Sequence, residues 1–347
     1  MERLKNSITK VYSEFDGNKF IKLVFDEWWK NLELKQMMRH VSYCLHETLP
    51  KDYPKALKIL EKVAPEFHGF DAMVFPDYVE CYGLDHWDSS LQALVLFTKC
   101  CSSEFAIRKF LAHDPDNALE YMLKWAMDEN PLVRRLATEG CRPRLPWAMA
   151  LPEFKKDPTP IIPILEILKN DESESVRRSV ANNLNDISKD NPDVTLDICE
   201  QWYGESEEID WIVKRACRDL LKSGNKRALI LFGFGDPSSI EVNDLEFDKK
   251  QISIGENLRF SFELAVKAKE KCKVRIEYFV YYVKSKGQLS PKIFQIKEAD
   301  FDPGKYKISK KHSFMDFSTR KHYPGEHSIS IVINGEEKSK KSIDVIS

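Results

Sequence analysis

The feature of this sequence that most limits its fold is a change of apolar period near Gly233-Phe234-Gly235-Asp236-Pro237. Upstream, apolar side chains recur at helical spacing, as in Phe20, Val24, Phe25 and Trp28. The helical stretches are separated by Asp114-Pro115-Asp116-Asn117, Asn130-Pro131 and Asn191-Pro192-Asp193. Downstream, apolar and polar residues alternate in Leu258-Arg259-Phe260-Ser261-Phe262-Glu263-Leu264 and in Val274-Arg275-Ile276-Glu277-Tyr278. A last apolar run, Ile329-Ser330-Ile331-Val332-Ile333, ends at Asn334-Gly335, a pair that accepts positive φ and predicts a hairpin. One period suits a helix buried along a stripe, the other a strand buried on one face. The chain is therefore expected to carry two architectures: a helical domain over residues 1–235 and a β-sandwich over residues 241–347.

The helical part contains a degenerate repeat. Leu132-Val133-Arg134-Arg135, Ser175-Val176-Arg177-Arg178 and Ile212-Val213-Lys214-Arg215 share an apolar residue followed by two cations. Their valines lie 43 and then 37 residues apart, a period that suits HEAT-like helix pairs stacked into a solenoid. Ala106-Ile107-Arg108-Lys109 echoes the string only 26 residues before Val133, a weaker member or a coincidence. The sandwich reads as immunoglobulin-like in architecture, without the antibody-type cysteine pair, since Cys272 stands alone there.

The net charge of −2 argues nothing for nucleic acid, but its distribution is uneven. Residues 241–347 hold 21 Lys+Arg against 16 Asp+Glu, and the remainder 32 against 39. A basic tail domain on an acidic body is compatible with DNA binding through local patches. The charged start Met1-Glu2-Arg3-Leu4-Lys5 lacks the apolar run of a signal peptide, and no apolar stretch is long enough to span a bilayer. A soluble cytoplasmic protein is expected, with the nucleoid when bound to DNA and without a membrane partner. The eight scattered cysteines form no C-x-x-C pair and read as reduced, mostly buried thiols.

The densest segments are Leu136-Ala137-Thr138-Glu139-Gly140-Cys141-Arg142-Pro143-Arg144-Leu145-Pro146-Trp147, Val176-Arg177-Arg178-Ser179-Val180-Ala181-Asn182-Asn183-Leu184-Asn185-Asp186 and Ser102-Ser103-Glu104-Phe105. Together they resemble the AlkC family of HEAT-like-repeat DNA glycosylases, over essentially the whole helical part. The sandwich matches members that carry one. The resemblance implies removal of N-alkylated bases such as 3-methyladenine and 3-methylcytosine from double-stranded DNA. It places the active-site acids on Glu104, Glu139 and Asp186 and the active-site tryptophan on Trp147. Cys141 stands where a small residue is expected. The family works without a conventional base-flipping pocket, so lesion charge should matter more than base shape.

These residue types suit that chemistry. A cationic alkylated base leaves as a neutral one, so strong protonation of the leaving group is dispensable. An oxocarbenium-like sugar develops, which carboxylates near C1′ stabilise while they orient or deprotonate water. An indole face attracts a cationic base or sugar. Each residue also has a plainer use. Glu104 follows two serines at a helix start, where an acid complements the macrodipole. Glu139 suits a solvated helix face, Asp186 an ion pair with Arg177 or Arg178, and Trp147 core packing behind Pro146. Arg134, Arg135, Arg177 and Arg178 either brace neighbouring repeats or contact phosphate. Arg142 and Arg144, between prolines, are expected to present both guanidiniums from a rigid loop to the DNA backbone. Lys214, Arg215 and Arg218 are expected on one helix face for the same purpose.

In the sandwich, Lys310-Lys311-His312-Ser313-Phe314 and Arg320-Lys321-His322-Tyr323 set cations beside aromatics, with Lys311 and Arg320 as candidate DNA contacts. No histidine spacing suggests a metal site, and no glycine-rich phosphate loop is present. No cofactor and no obligate protein partner are expected. The competing function class is a non-catalytic helical-repeat scaffold binding DNA or protein, in which Glu139 and Asp186 would point apart.

Overall fold

The computed structural model describes residues 1–317 and 321–347. Arg320 lies outside the described residues. The chain forms a helical HEAT-like-repeat body followed by an immunoglobulin-like β-sandwich. Its two compact units are Met1–Ala216 and Cys217–Ser347.

In the first unit, the segments that break the helical pattern turn out to begin helices. Pro115, Pro131 and Pro192 each open one, where a missing N–H costs no helical hydrogen bond. Asp114 accepts from the Asn117 backbone N–H and Asn130 from that of Leu132, which caps two of the three. Asn191 instead donates through Nδ2 to the Lys155 carbonyl at 2.7 Å.

The three valines of the repeat lie on the helices Pro131–Gly140, Glu174–Ile187 and Glu207–Ala216, and all are fully buried. Each such burial is worth about 1.5–3 kcal/mol relative to exposure. The middle helix packs against both others. A polar seam fixes its register on the first. Asn183 Nδ2 donates to the Thr138 carbonyl at 2.9 Å, and the Thr138 hydroxyl donates to that of Ser179. A buried seam of this kind tolerates little sliding, because each group displaced from its partner is left unsatisfied. It brings Glu139 and Asp186 to the same level of the stack.

The second unit contains two sheets. One has the order β1-β3-β6 and the other β2-β8-β7-β4-β5. The strands are β1 Ile240–Phe247, β2 Gln251–Ser253, β3 Asn257–Val266, β4 Cys272–Val283, β5 Leu289–Phe301, β6 Gly304–Ser313, β7 Gly325–Ile333 and β8 Glu336–Ile346. All pairs are antiparallel except β2 with β8. The alternation read from the sequence puts Leu258, Phe260, Phe262 and Leu264 of β3 into a core with Val274, Ile276, Ile329 and Ile331.

The β7–β8 turn has φ of 47° at Asn334 and 80° at Gly335. A Cβ added to Gly335 would lie 2.4 Å from the Gly224 Cα, so no side chain fits there. Lys273 Nζ donates to the Phe232 carbonyl at 3.1 Å, and the Gly235 N–H donates to the Lys273 carbonyl at 3.1 Å. These contacts tie residues 217–235 to the sandwich. The compact units therefore divide at Ala216, upstream of the change of apolar period. Among the described residues, no helix is long and apolar enough to cross a membrane.

Candidate active site

Glu139 sits in the last turn of the helix Pro131–Gly140 and Asp186 in the last turn of Glu174–Ile187. Both are buried, 6% and 1% exposed, and neither occupies a solvated face. One residue joins them: Arg142 Nη1 donates to Glu139 Oε1 at 2.5 Å and Nε to Asp186 Oδ2 at 2.9 Å. Glu139 Oε2 accepts from the Ser179 hydroxyl at 2.5 Å, and Asp186 Oδ1 from Lys189 Nζ at 3.3 Å. Arg135 extends the chain of charges, with Nη2 at 3.1 Å from Glu104 Oε2 and 3.8 Å from Glu139 Oε1. Glu104 also accepts from the Ser102 hydroxyl. Three carboxylates from three segments thus alternate with two guanidiniums. Buried charges persist only when paired, and this ladder pairs them.

Burial works to lower the pKa of Arg142, but Glu139 and Asp186 outweigh it, so its guanidinium is held above the usual range. The sequence had suggested a loop arginine presented outward. In the structure Arg142 is only 6% exposed, because both acids draw it inward. Arg144 does face outward, and it forms a bidentate pair with Asp190 at 2.7 and 2.6 Å. That pair raises the pKa of Arg144 and lowers that of Asp190. Cys141 is fully buried beneath the ladder, where burial pushes its thiol up to about 12 and keeps it protonated at neutral pH.

Trp147 is not core. It is 72% exposed with φ of 65°, a conformation a bulky residue rarely adopts. Such backbone strain costs on the order of 1–3 kcal/mol and concentrates at functional sites. Lys35 Nζ donates to the Trp147 carbonyl at 2.6 Å and lies 4.6 Å from the Phe105 ring centroid. Trp147, Glu104, Phe105, Phe70, Met38 and Lys35 line a cleft of about 340 Å³. One wall thus comes from residues 34–73, which sequence reasoning missed. Leu34 at 54% and Phe70 at 68% exposure carry no motif, and only their place beside Trp147 marks them.

The other candidate cations divide by position in the repeat. Arg134 forms a bidentate pair with Asp171 at 2.5 and 3.0 Å and donates to the carbonyls of Asp128 and Glu129. Arg177 repeats the last contact with the carbonyls of Asp171 and Glu172. Both brace repeats. Arg178 pairs with Glu174 at the surface. Arg215 reaches Asn182 Oδ1 at 3.3 Å and lies over Trp211, while Lys214 is exposed. The helix face expected to join these to Arg218 is absent. The helix ends at Ala216, Cys217 has ψ of 4°, and Arg218 starts another helix in the second unit.

In the sandwich, Lys311 is exposed and stands across the ladder from Arg259, while neighbouring His312 and Phe314 are buried. Two like charges directly opposite each other are destabilising unless an anion lies between them. Among the described residues, no group of three or more His, Cys, Asp and Glu side chains could hold a metal ion.

The chain is similar to known proteins over both of its parts. Residues 101–220 match the family described as DNA alkylation repair enzyme, and residues 241–347 that of the uncharacterised protein YhaZ, C-terminal Ig-like domain. The chain is 46% identical over 99% of its length to the uncharacterised protein YhaZ of Bacillus subtilis (strain 168), covering 96% of that protein. Its fold matches that of the Pseudomonas fluorescens alkylpurine DNA glycosylase AlkC bound to DNA containing an abasic site analog. The TM-score is 0.94 and the identity 39%, over 100% of this chain and 98% of that one.

Proposed function

The chain belongs to the AlkC family of DNA alkylation repair enzymes, and from that premise we propose that it is a DNA glycosylase acting on cationic N-alkylated bases, 3-methyladenine and 3-methylcytosine, in double-stranded DNA. The observation that carries this reading is the convergence of Glu104, Glu139 and Asp186 on one ladder beside an exposed, strained Trp147. In a non-catalytic scaffold Glu139 and Asp186 would be expected to point apart, each paired with its own neighbours.

In the proposed reaction the C1′–N bond breaks and its electron pair neutralises the base. A positive charge develops on the sugar, and Asp186 and Glu139 stabilise it. Water adds to C1′ and gives its proton to a carboxylate, leaving an abasic site. The Trp147 indole faces the cationic base, an attraction of about 0.5–2 kcal/mol. Arg142 holds both acids as acceptors towards one point. Among the candidate cations of the body, Arg144, Arg178 and Lys214 face outward and are the ones proposed to engage phosphate, Arg144 and Arg178 by exchanging their carboxylate partners for it. Lys311 with Arg259 is the corresponding pair in the sandwich.

Because the site supplies no dedicated acid for the leaving group, it should discriminate by charge. Under single-turnover conditions, 3-methyladenine should be released from methylated duplex DNA and uracil from a matched duplex should not. Equal rates on the two would overturn the reading.

A further inference from the structure

Arg108 stands in the weakest copy of the repeat string, at the position of Arg134 and Arg177. Those two send Nη1 back to the carbonyls six and five residues upstream, in the turn before their own helix. Arg108 reaches forward. Its Nε donates to the Met149 carbonyl at 2.7 Å, and Nη1 to the carbonyls of Gly140 and Arg142 at 2.9 and 2.7 Å. The three carbonyls belong to the end of the helix that carries Glu139, to the arginine between the acids, and to the chain just past Trp147. Both arms of the 141–149 loop therefore hang on one side chain.

The side chain is fully buried. Burial lowers its pKa to about 10, which still leaves it charged at neutral pH. The approach that permits the contact is itself tight: a Cβ on Gly140 would lie 2.6 Å from Ile107 Cγ2. A glycine at 140 lets the helix Ile107–His113 come this close to the end of the helix that carries Glu139. The guanidinium reaches these carbonyls from two separate nitrogens in a fixed plane, Nε and Nη1, a geometry that the single nitrogen of an ammonium does not reproduce.

We propose that Arg108 is a positioning residue for base excision, fixing the loop so that Arg142 meets both acids and Trp147 stays at the cleft. This rests on the catalytic reading of Glu139, Asp186 and Trp147. Arg108 touches no substrate. Its contribution is the placement of groups that do, and misplacing such groups by about 1 Å costs on the order of a hundredfold in rate.

The test uses the full-length chain and methylated duplex DNA. Arg108→Met, Arg108→Lys and Arg108→Ala are compared with Asp186→Asn for folding by circular dichroism, DNA affinity, and single-turnover release of 3-methyladenine. The Arg108 variants should stay folded and lose rate by roughly a hundredfold, far more than they lose affinity. Arg108→Lys should retain more rate than Arg108→Met. Guanidinium at millimolar concentration should restore part of the rate to Arg108→Ala and none to Asp186→Asn. A folded Arg108→Met that cuts at the wild-type rate overturns the proposal. So does a loss that follows unfolding in every variant with no rescue, which would make Arg108 a stability residue only. Full activity in Asp186→Asn would instead remove the reading of the acids, an outcome separate from either result at Arg108.

Discussion

Two of the molecule's buried charge clusters, one in the sandwich and one in the helical body, differ in kind. In the sandwich, Arg275 pairs with Glu277 at 2.6 Å and Glu298 at 3.3 Å. The partners lie on one strand and its neighbour, and the cluster is closed among β-strands. In the helical body, Glu104, Arg135, Glu139, Arg142 and Asp186 come from segments more than thirty residues apart and end at a cleft. A buried ion pair by itself is weak grounds for function, because structural pairs look the same. The body's ladder differs in two ways: it meets a cavity, and the loop that carries Arg142 holds Trp147 at positive φ.

Breaking each cluster should separate stability from chemistry. The largest stability effect is expected for Arg275→Met, which leaves Glu277 buried without its cation. Loss of one partner of a buried pair costs roughly 3–5 kcal/mol, so thermal unfolding should shift strongly downward. An unchanged melting temperature would mean that the sandwich pair is dispensable.

Trp147→Ala should do the reverse. The side chain is exposed and packs little, so folding should hold while excision of 3-methyladenine slows by about tenfold, for an interaction of roughly 1.4 kcal/mol. A drop in melting temperature with unchanged excision would return Trp147 to a packing role.

The smallest effect is expected at the sandwich surface. Lys311→Ala should weaken binding to lesion-analogue duplex modestly and reduce the slope of log affinity against log salt by about 0.9 if it neutralises one phosphate. An unchanged slope would take β6 out of the DNA contact.

Local physics was legible in the sequence and long-range contact was not. The breaks at Asn130-Pro131 and Asp114-Pro115, which in the structure open helices, the strand alternation of 258–264 and the Asn334-Gly335 turn are each specified within a few residues. The acids were found because their strings resemble a family, since neither spacing nor composition distinguishes Asp186 from a surface acid. What escaped needed a partner far along the chain. Arg142 read as outward until Asp186, 44 residues away, drew it in. The aromatics beside Lys311 read as a grip on DNA, yet β6 turns His312 inward to the hydroxyls of Tyr278 and Tyr282. The boundary at Ala216 depends on Gly224 meeting Gly335, a contact no local pattern announces.

The central claim is that the carboxylates of the ladder stabilise the sugar cation. Its most direct measurement is the single-turnover rate of 3-methyladenine release by Asp186→Asn and Glu139→Gln, each shown folded by circular dichroism and saturated with methylated duplex. Each swap keeps size and removes charge. Loss of one preorganised electrostatic contact of about 3 kcal/mol predicts a fall on the order of a hundredfold, with DNA affinity nearly intact. Excision near the wild-type rate in both folded variants would contradict the account.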